Sequence, residues 1–133
     1  MPGRVWQINP HGGGRSIPES VRETTRASIV EHAAQHFGDR AIEVRFRAQF
    51  CYVDAYLELA ADGDDRGAGG TAPDGVRSEA MQLCRLRYFG PDRWSLAIYS
   101  YAHERYDPSV FGDGEWFGPA AAGFDLAGNL YLT

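Results

Sequence analysis

An α+β fold is predicted, with an antiparallel sheet of about four strands plus a short hairpin and a helix at each end, and three observations predict it. Apolar residues recur at helical spacing between Ser16 and Phe37, and the stretches 41–59, 79–89 and 93–102 alternate with a period of two. The connections between the alternating stretches are, with one exception, too short for the crossovers that parallel strands need. The chain has 133 residues, 44% hydrophobic and 23% charged, enough for one domain whose core needs neither a disulfide framework nor a structural metal.

Residues 1–15, ending in His11-Gly-Gly-Gly-Arg15, have no sustained periodicity and read as a flexible arm, with Trp6 and Ile8 as candidate anchors; residues 16–133 form the single domain. Ser16 is a plausible N-cap, Pro18 sits where its missing N–H costs nothing, and Glu19 and Glu23 suit the positive end of a helix dipole. Val21, Thr25, Ile29, Ala33 and Phe37 then mark one face of a helix that Gly38 ends in a left-handed conformation. From Ala41 the pattern places Ile42, Val44 and Phe46 opposite Glu43, Arg45 and Arg47. The stretch 41–59 is long for one strand, so a break at Ala48-Gln49 gives strands over about 41–47 and 50–59, one long bent strand being the alternative. In the second of these, Cys51, Val53, Ala55, Leu57 and Leu59 take the buried parity and Phe50, Tyr52, Asp54, Tyr56 and Glu58 the other.

Residues 60–78, rich in Gly and Asp with no apolar pattern, read as a mobile acidic loop. A third strand over about 79–89 sets Leu83, Arg85, Arg87 and Phe89 against Cys84, Leu86 and Tyr88, and Gly90-Pro91-Asp92 turns the chain. A fourth over about 93–102 sets Trp94, Leu96 and Ile98 against Ala97, Tyr99 and Tyr101. Val110-Phe111, the turn Gly112-Asp113-Gly114 and Glu115-Trp116-Phe117 suggest the short hairpin. From Pro119, an alanine-rich stretch through Phe124, Ala127 and Tyr131 closes the domain as a helix weakened by Gly123 and Gly128.

All 13 basic residues are arginine, which excludes a P-loop lysine, a Schiff-base lysine and a lysine general base. A formal charge of −5 argues against bulk electrostatic binding to DNA or anionic lipid but leaves room for a local basic face. With no run of 18 apolar residues and no basic leader followed by an apolar stretch, neither a membrane span nor a signal peptide is expected. Cys51 and Cys84 are too few for a disulfide scaffold and read as free buried thiols, so the expected location is the cytoplasm.

The unusual surface is the sheet face opposite the core. If Ile42, Val44, Phe46, Cys51, Val53, Leu86, Trp94 and Ile98 face the helices, the other face gathers Arg45, Arg47, Phe50, Tyr52, Tyr56, Arg85, Arg87, Tyr99 and Tyr101. Arg and Tyr offer large contact area with directional hydrogen bonds, which makes a face of them suited to binding. The plainer alternative is that a helix or a partner covers this face and the Arg and Tyr side chains stack on one another. The leading expectation is a non-enzymatic protein-binding domain, with a second copy of the chain as partner, because symmetric dimers are the commonest oligomers. Single-stranded nucleic acid is the alternative ligand. Phe50-Cys51-Tyr52-Val53 is a poor match to the aromatic RNA-binding strand, since Ala48 and Gln49 stand where a basic residue and Gly belong.

Three other constellations are weaker. His32 and His36 share one helix face at metal-ligand spacing, but the catalytic glutamate of a zinc protease is absent and no third ligand has suitable spacing, so no metal or other cofactor is expected. Cys51 and Cys84 lack a Cys-x-x-Cys partner run, which favours packing over redox work. His103, continuing the parity of Tyr99 and Tyr101, with Glu104 beside it and Asp107 or Glu115 to orient the ring, is the best acid–base candidate for an enzyme reading. No nucleophile elbow accompanies it, although Ser100 and Ser109 are near in sequence.

At Phe50-Cys-Tyr-Val-Asp-Ala-Tyr56, Leu83-Cys-Arg-Leu-Arg-Tyr-Phe89, Arg93-Trp-Ser-Leu-Ala-Ile-Tyr99 and His103-Glu-Arg-Tyr-Asp-Pro-Ser109, the chain resembles a group of small uncharacterised bacterial proteins over about residues 42–132. The resemblance implies a single domain of bacterial source and brings no assigned activity. In that group the closing segment runs Gly-Thr-Pro and then two acidic residues, where this chain has Gly118-Pro-Ala-Ala-Ala122, so the negative charge at the helix start is missing here.

Overall fold

In the computed structural model, which describes residues 12–38, 41–56 and 80–132, the first helix starts at Pro18 rather than at a Ser16 cap. Helix α1 (Glu19–His36) has Pro18 as its N-cap, with φ −64° and ψ 154°, and no side chain caps it. The residues before it are committed elsewhere: Arg15 N–H donates to Tyr88 O at 2.9 Å, Ile17 N–H donates to Ala48 O at 3.3 Å, and Ile17 is buried. Thr25, Ile29, Ala33 and Phe37 are buried as the spacing predicts, and Gly38 follows at φ +77°.

Five strands follow one another through the sheet in sequence order, each antiparallel to the last: β1 (Ala41–Arg47), β2 (Phe50–Tyr56), β3 (Ala80–Gly90), β4 (Arg93–Ser100) and β5 (Arg105–Ser109). A two-residue strand, β6 (Phe117–Gly118), pairs with the start of β4, and α2 (Ala120–Tyr131) closes the domain. The class is α+β as expected, but the sheet has six strands rather than about four.

The departures have local causes. The break at Ala48-Gln49 is real, and Ala48 makes the turn at φ +55°, where no Gly or Asn marks it in the sequence. A register shift in β2–β3 sets Val53 opposite Cys84 and Asp54 opposite Gln82; Leu83 falls in the irregularity and is fully buried with the core, not ranged with Arg85 and Arg87. Strand β4 stops at Ser100, and residues 101–104 turn the chain into β5, whose sequence RYDPS has no alternation and carries a proline that only an edge strand tolerates. The expected hairpin across 110–117 is replaced by a loop in which Phe111 N–H donates to Glu115 O at 2.8 Å and Gly114 N–H to Phe111 O at 2.8 Å; Phe117 pairs instead with Ser95.

Cross-strand register decides the faces. Phe46, Cys51, Leu86 and Leu96 are successive partners across β1 to β4 and therefore share one face. Both helices lie on it. A Cβ on Gly123 of α2 would stand 2.9 Å from Leu86 and 3.1 Å from Leu96, while the Arg22 and Arg26 guanidinium groups of α1 sit 5.8 and 5.1 Å from the Phe46 ring centroid. The helices meet edge to face at Phe37 and Phe124, 5.6 Å apart, and through His32 and Asp125. No helix among the described residues is long and apolar enough to cross a membrane. Trp6 and Ile8, the buried parity of Leu57 and Leu59, and the 60–78 loop lie outside the described residues.

Candidate functional site

With both helices on one side, the opposite face of the sheet has no helix over it among the described residues. Its rows also follow from register: Arg45, Tyr52, Arg85, Ala97 and Pro108 are successive partners across β1 to β5, with Arg47, Phe50, Arg87 and Ser95 in a second row. Glu43, Asp54 and Gln82 form a third, and Tyr99 pairs with Tyr106. Strand alternation thus puts four guanidinium groups and a set of aromatic rings on one side of the sheet.

The side chains pack against one another, the rings tilted or edge-on. The guanidinium carbon of Arg45 is 5.2 Å from the Tyr52 ring, that of Arg85 is 4.8 Å from Phe50 and 5.2 Å from Tyr106, and that of Arg87 is 4.6 Å from Phe50. Tyr106 is the hub of the rings, 5.9 Å from Tyr52 and 5.0 Å from Tyr99. Burial, and then the like charge of Arg85, pull the Arg87 guanidinium below its usual range. One oxygen of the arm anchors this edge: Gly13 O accepts from Arg87 Nη1 at 2.9 Å.

Of the predicted binding residues, Arg45, Arg47, Tyr52, Arg85, Arg87 and Tyr99 share this face. Tyr56 stands at its end, donating from its hydroxyl to Glu43 Oε1 at 2.6 Å. Tyr101 does not belong to the strand: it lies in the turn, donates to Gln82 O at 2.8 Å, and packs its ring against both Tyr99 and Tyr131. Burial raises its hydroxyl pKa, as it does that of Tyr106.

Asp54 is the residue that sequence reasoning placed on this face without recognising its importance. Its side chain is 5% exposed, and Oδ2 accepts from Arg45 Nη2 at 2.8 Å. Oδ1 is buried without any hydrogen-bond partner, the only such side-chain atom among the described residues. Burial lowers the Arg45 pKa, but the Asp54 hydrogen bond and the charges of Asp54 and Glu43 outweigh it, and the net shift is upward. An Asp between two tyrosines on a strand was the available signal; the bulge that sinks it below the surface was not legible.

His103 is elsewhere. The turn removes it from the tyrosine parity, so it does not continue the Tyr99 face as expected. Its Nδ1 is 2.7 Å from Asp107 Oδ2, while Arg105 Nε donates to Asp107 Oδ1 at 2.9 Å. Both candidate serines engage the backbone, Ser100 Oγ accepting from His103 N–H and Ser109 Oγ donating to Val110 O. Glu104 supplies a left-handed turn residue at φ +57°. The hydrogen bonds from His103 and then Arg105 hold the Asp107 carboxyl below its usual range. A depressed folded-state pKa adds stability above the unfolded value, and that stability is lost as pH falls through the folded value. His103→Ala is therefore expected to return the Asp107 titration, followed by NMR, towards the ordinary carboxylate range; an unchanged titration would mean that the bond does not form in solution.

His32 Nε2 is 2.7 Å from Asp125 Oδ1, and its ring lies 4.2 Å from that of His36, so the pair joins α1 to α2. No group of three or more metal-ligating side chains occurs among the described residues. Cys51 and Cys84 are both free and buried; burial pushes the Cys51 thiol up to about 12 and the Cys84 thiol well above its usual value, which keeps both protonated. Comparison of the chain with protein-family models, curated proteins and solved structures gives no match.

Proposed function

We propose that this chain is a small cytoplasmic interaction domain without an activity of its own, and that its open Arg/Tyr face binds a second copy of the chain. The observation that carries this reading is the position of both helices on one side, which leaves a sheet face of packed guanidinium groups and rings with no helix over it among the described residues. The stacking lowers the entropy that ordering these side chains at an interface would cost. The face holds Arg45, Arg47, Arg85 and Arg87 beside Glu43 and Asp54, so two copies related by a twofold axis can each supply cations to the other's carboxylates. The protonated, buried thiols suit a reducing compartment.

Light scattering tests the reading: the chain is expected at twice its 14.7 kDa mass, and Tyr52→Ala with Arg85→Glu at one chain mass with its circular dichroism intact. A wild-type chain that stays at one chain mass at every concentration overturns it. The alternative ligand, single-stranded nucleic acid, is favoured by one observation, the pair of guanidinium groups over Phe50. It requires affinity for an oligonucleotide that falls steeply with salt.

A further inference from the structure

We infer that the interface between two copies is built on a reciprocal pair, Arg47 of each copy donating to the unpartnered Oδ1 of Asp54 in the other; the inference rests on the self-association just proposed. Two residues of this face are incomplete in opposite senses. Asp54 buries a carboxylate oxygen that has no donor among the described residues, a condition that costs free energy unless something fills it. Arg47 is exposed, with no hydrogen bond, ion pair or ring contact among the described residues, whereas Arg45, Arg85 and Arg87 all lie over rings.

Their spacing suits a twofold axis. Arg47 stands opposite Phe50, and Asp54 is four residues further along β2, about 13 Å at the rise of an extended strand. Arg45 and Tyr52 face each other midway. An axis lying between two stacked sheets and running across the strands over that midpoint carries Arg47 of one copy onto the Asp54 end of the other, and makes both contacts at once. It also brings the two Tyr52 rings together at the centre. Sheets packed face to face lie about 10 Å apart, a gap that an extended arginine spans. The half-exposed Arg45 already holds Oδ2, so the incoming guanidinium, once it displaces what buries Oδ1, completes a carboxylate shared between two arginines.

The test measures dimer dissociation constants by sedimentation for wild type, Arg47→Ala, Asp54→Asn and an equimolar mixture of the two variants. Each variant alone loses both contacts, and its dissociation constant is expected to rise by about 10-fold or more. In the mixture, the chain that keeps Arg47 meets the chain that keeps Asp54, so a heterodimer tighter than either variant homodimer is expected. Should Asp54→Asn fail to fold, the exposed substitution Arg47→Glu gives the same loss without entering the sheet. A wild-type dimer whose affinity is unmoved by Arg47→Ala or Arg47→Glu overturns the pairing and leaves self-association standing. A monomeric wild type overturns both.

Discussion

Replacing Phe124 with alanine is expected to destabilise the domain by about 3–5 kcal/mol, the range for removing a fully buried aromatic ring. Phe124 has no exposed surface and stands where the helices meet, edge-on to Phe37 at 5.6 Å and to His32 at 5.9 Å. Its ring separates α1 from α2 above the sheet, and the space it leaves is walled by two helices that are also tied through His32 and Asp125. Such walls collapse poorly, so the cavity cost adds to the lost transfer free energy. Against a typical domain stability of about 5–15 kcal/mol, the loss takes a large fraction of the total. Urea unfolding at one fixed protein concentration checks it, since association would shift the apparent stability. A loss under about 1 kcal/mol would mean that the ring is not part of the core.

Gly128→Ala carries the second large effect, and its sign is the informative part. Helix propensity alone favours alanine at an interior helix position by about 1 kcal/mol. The added Cβ, however, would stand 2.6 Å from both Cε2 and Cζ of Phe37, closer than carbon atoms approach without displacement. Phe37 is itself buried and braced against Phe124, so the ring cannot swing clear without opening the contact between the helices. Overpacking of this kind costs about 1–3 kcal/mol and exceeds the propensity gain. A net loss of stability is expected, with a smaller loss in a Phe37→Leu background where the clash is relieved. Stabilisation in the wild-type background would show that α2 sits further from α1 than the geometry states.

That glycine also shows where the sequence was legible and where it was not. Gly123 and Gly128 read as weaknesses of a helix because propensity is a local property; their use is the approach of Leu86, Leu96 and Phe37, residues distant along the chain. The period-two stretches located β1 to β4 because each has one buried face. Strand β5 escaped because an edge strand with a proline need not alternate, and β6 because two residues have no period at all. The face that gathers Arg45, Tyr52 and Arg85 followed from parity, which register preserves across every strand pair that holds it. Parity failed at two points, the irregularity at Leu83 and the turn at Tyr101, and these changed the site most: one sank Asp54 and the other took His103 away from the tyrosines. Turns made by non-glycine residues at positive φ, such as Ala48 and Glu104, leave little compositional trace, whereas the one at Asp92 was legible from Gly90 and Pro91.

A sheet whose spatial order repeats its sequence order has a consequence for how the chain is made. Each new strand finds its neighbour already emerged from the ribosome, so β1 to β5 can pair in the order in which they are synthesised, across short connections except the one between β2 and β3. Strand β6, which pairs back onto β4, and the helix α2, which follows every strand, are the elements that this progress supplies last among those described. Until α2 emerges, Leu86, Leu96 and Phe111 have no cover from it and Phe37 lacks its counterpart, so a nascent chain halted before Ala120 would display an oily sheet surface. A chain that lacks the dozen residues from Ala120 to Tyr131 is therefore expected to meet chaperones as a sticky half-sandwich rather than as a folded domain.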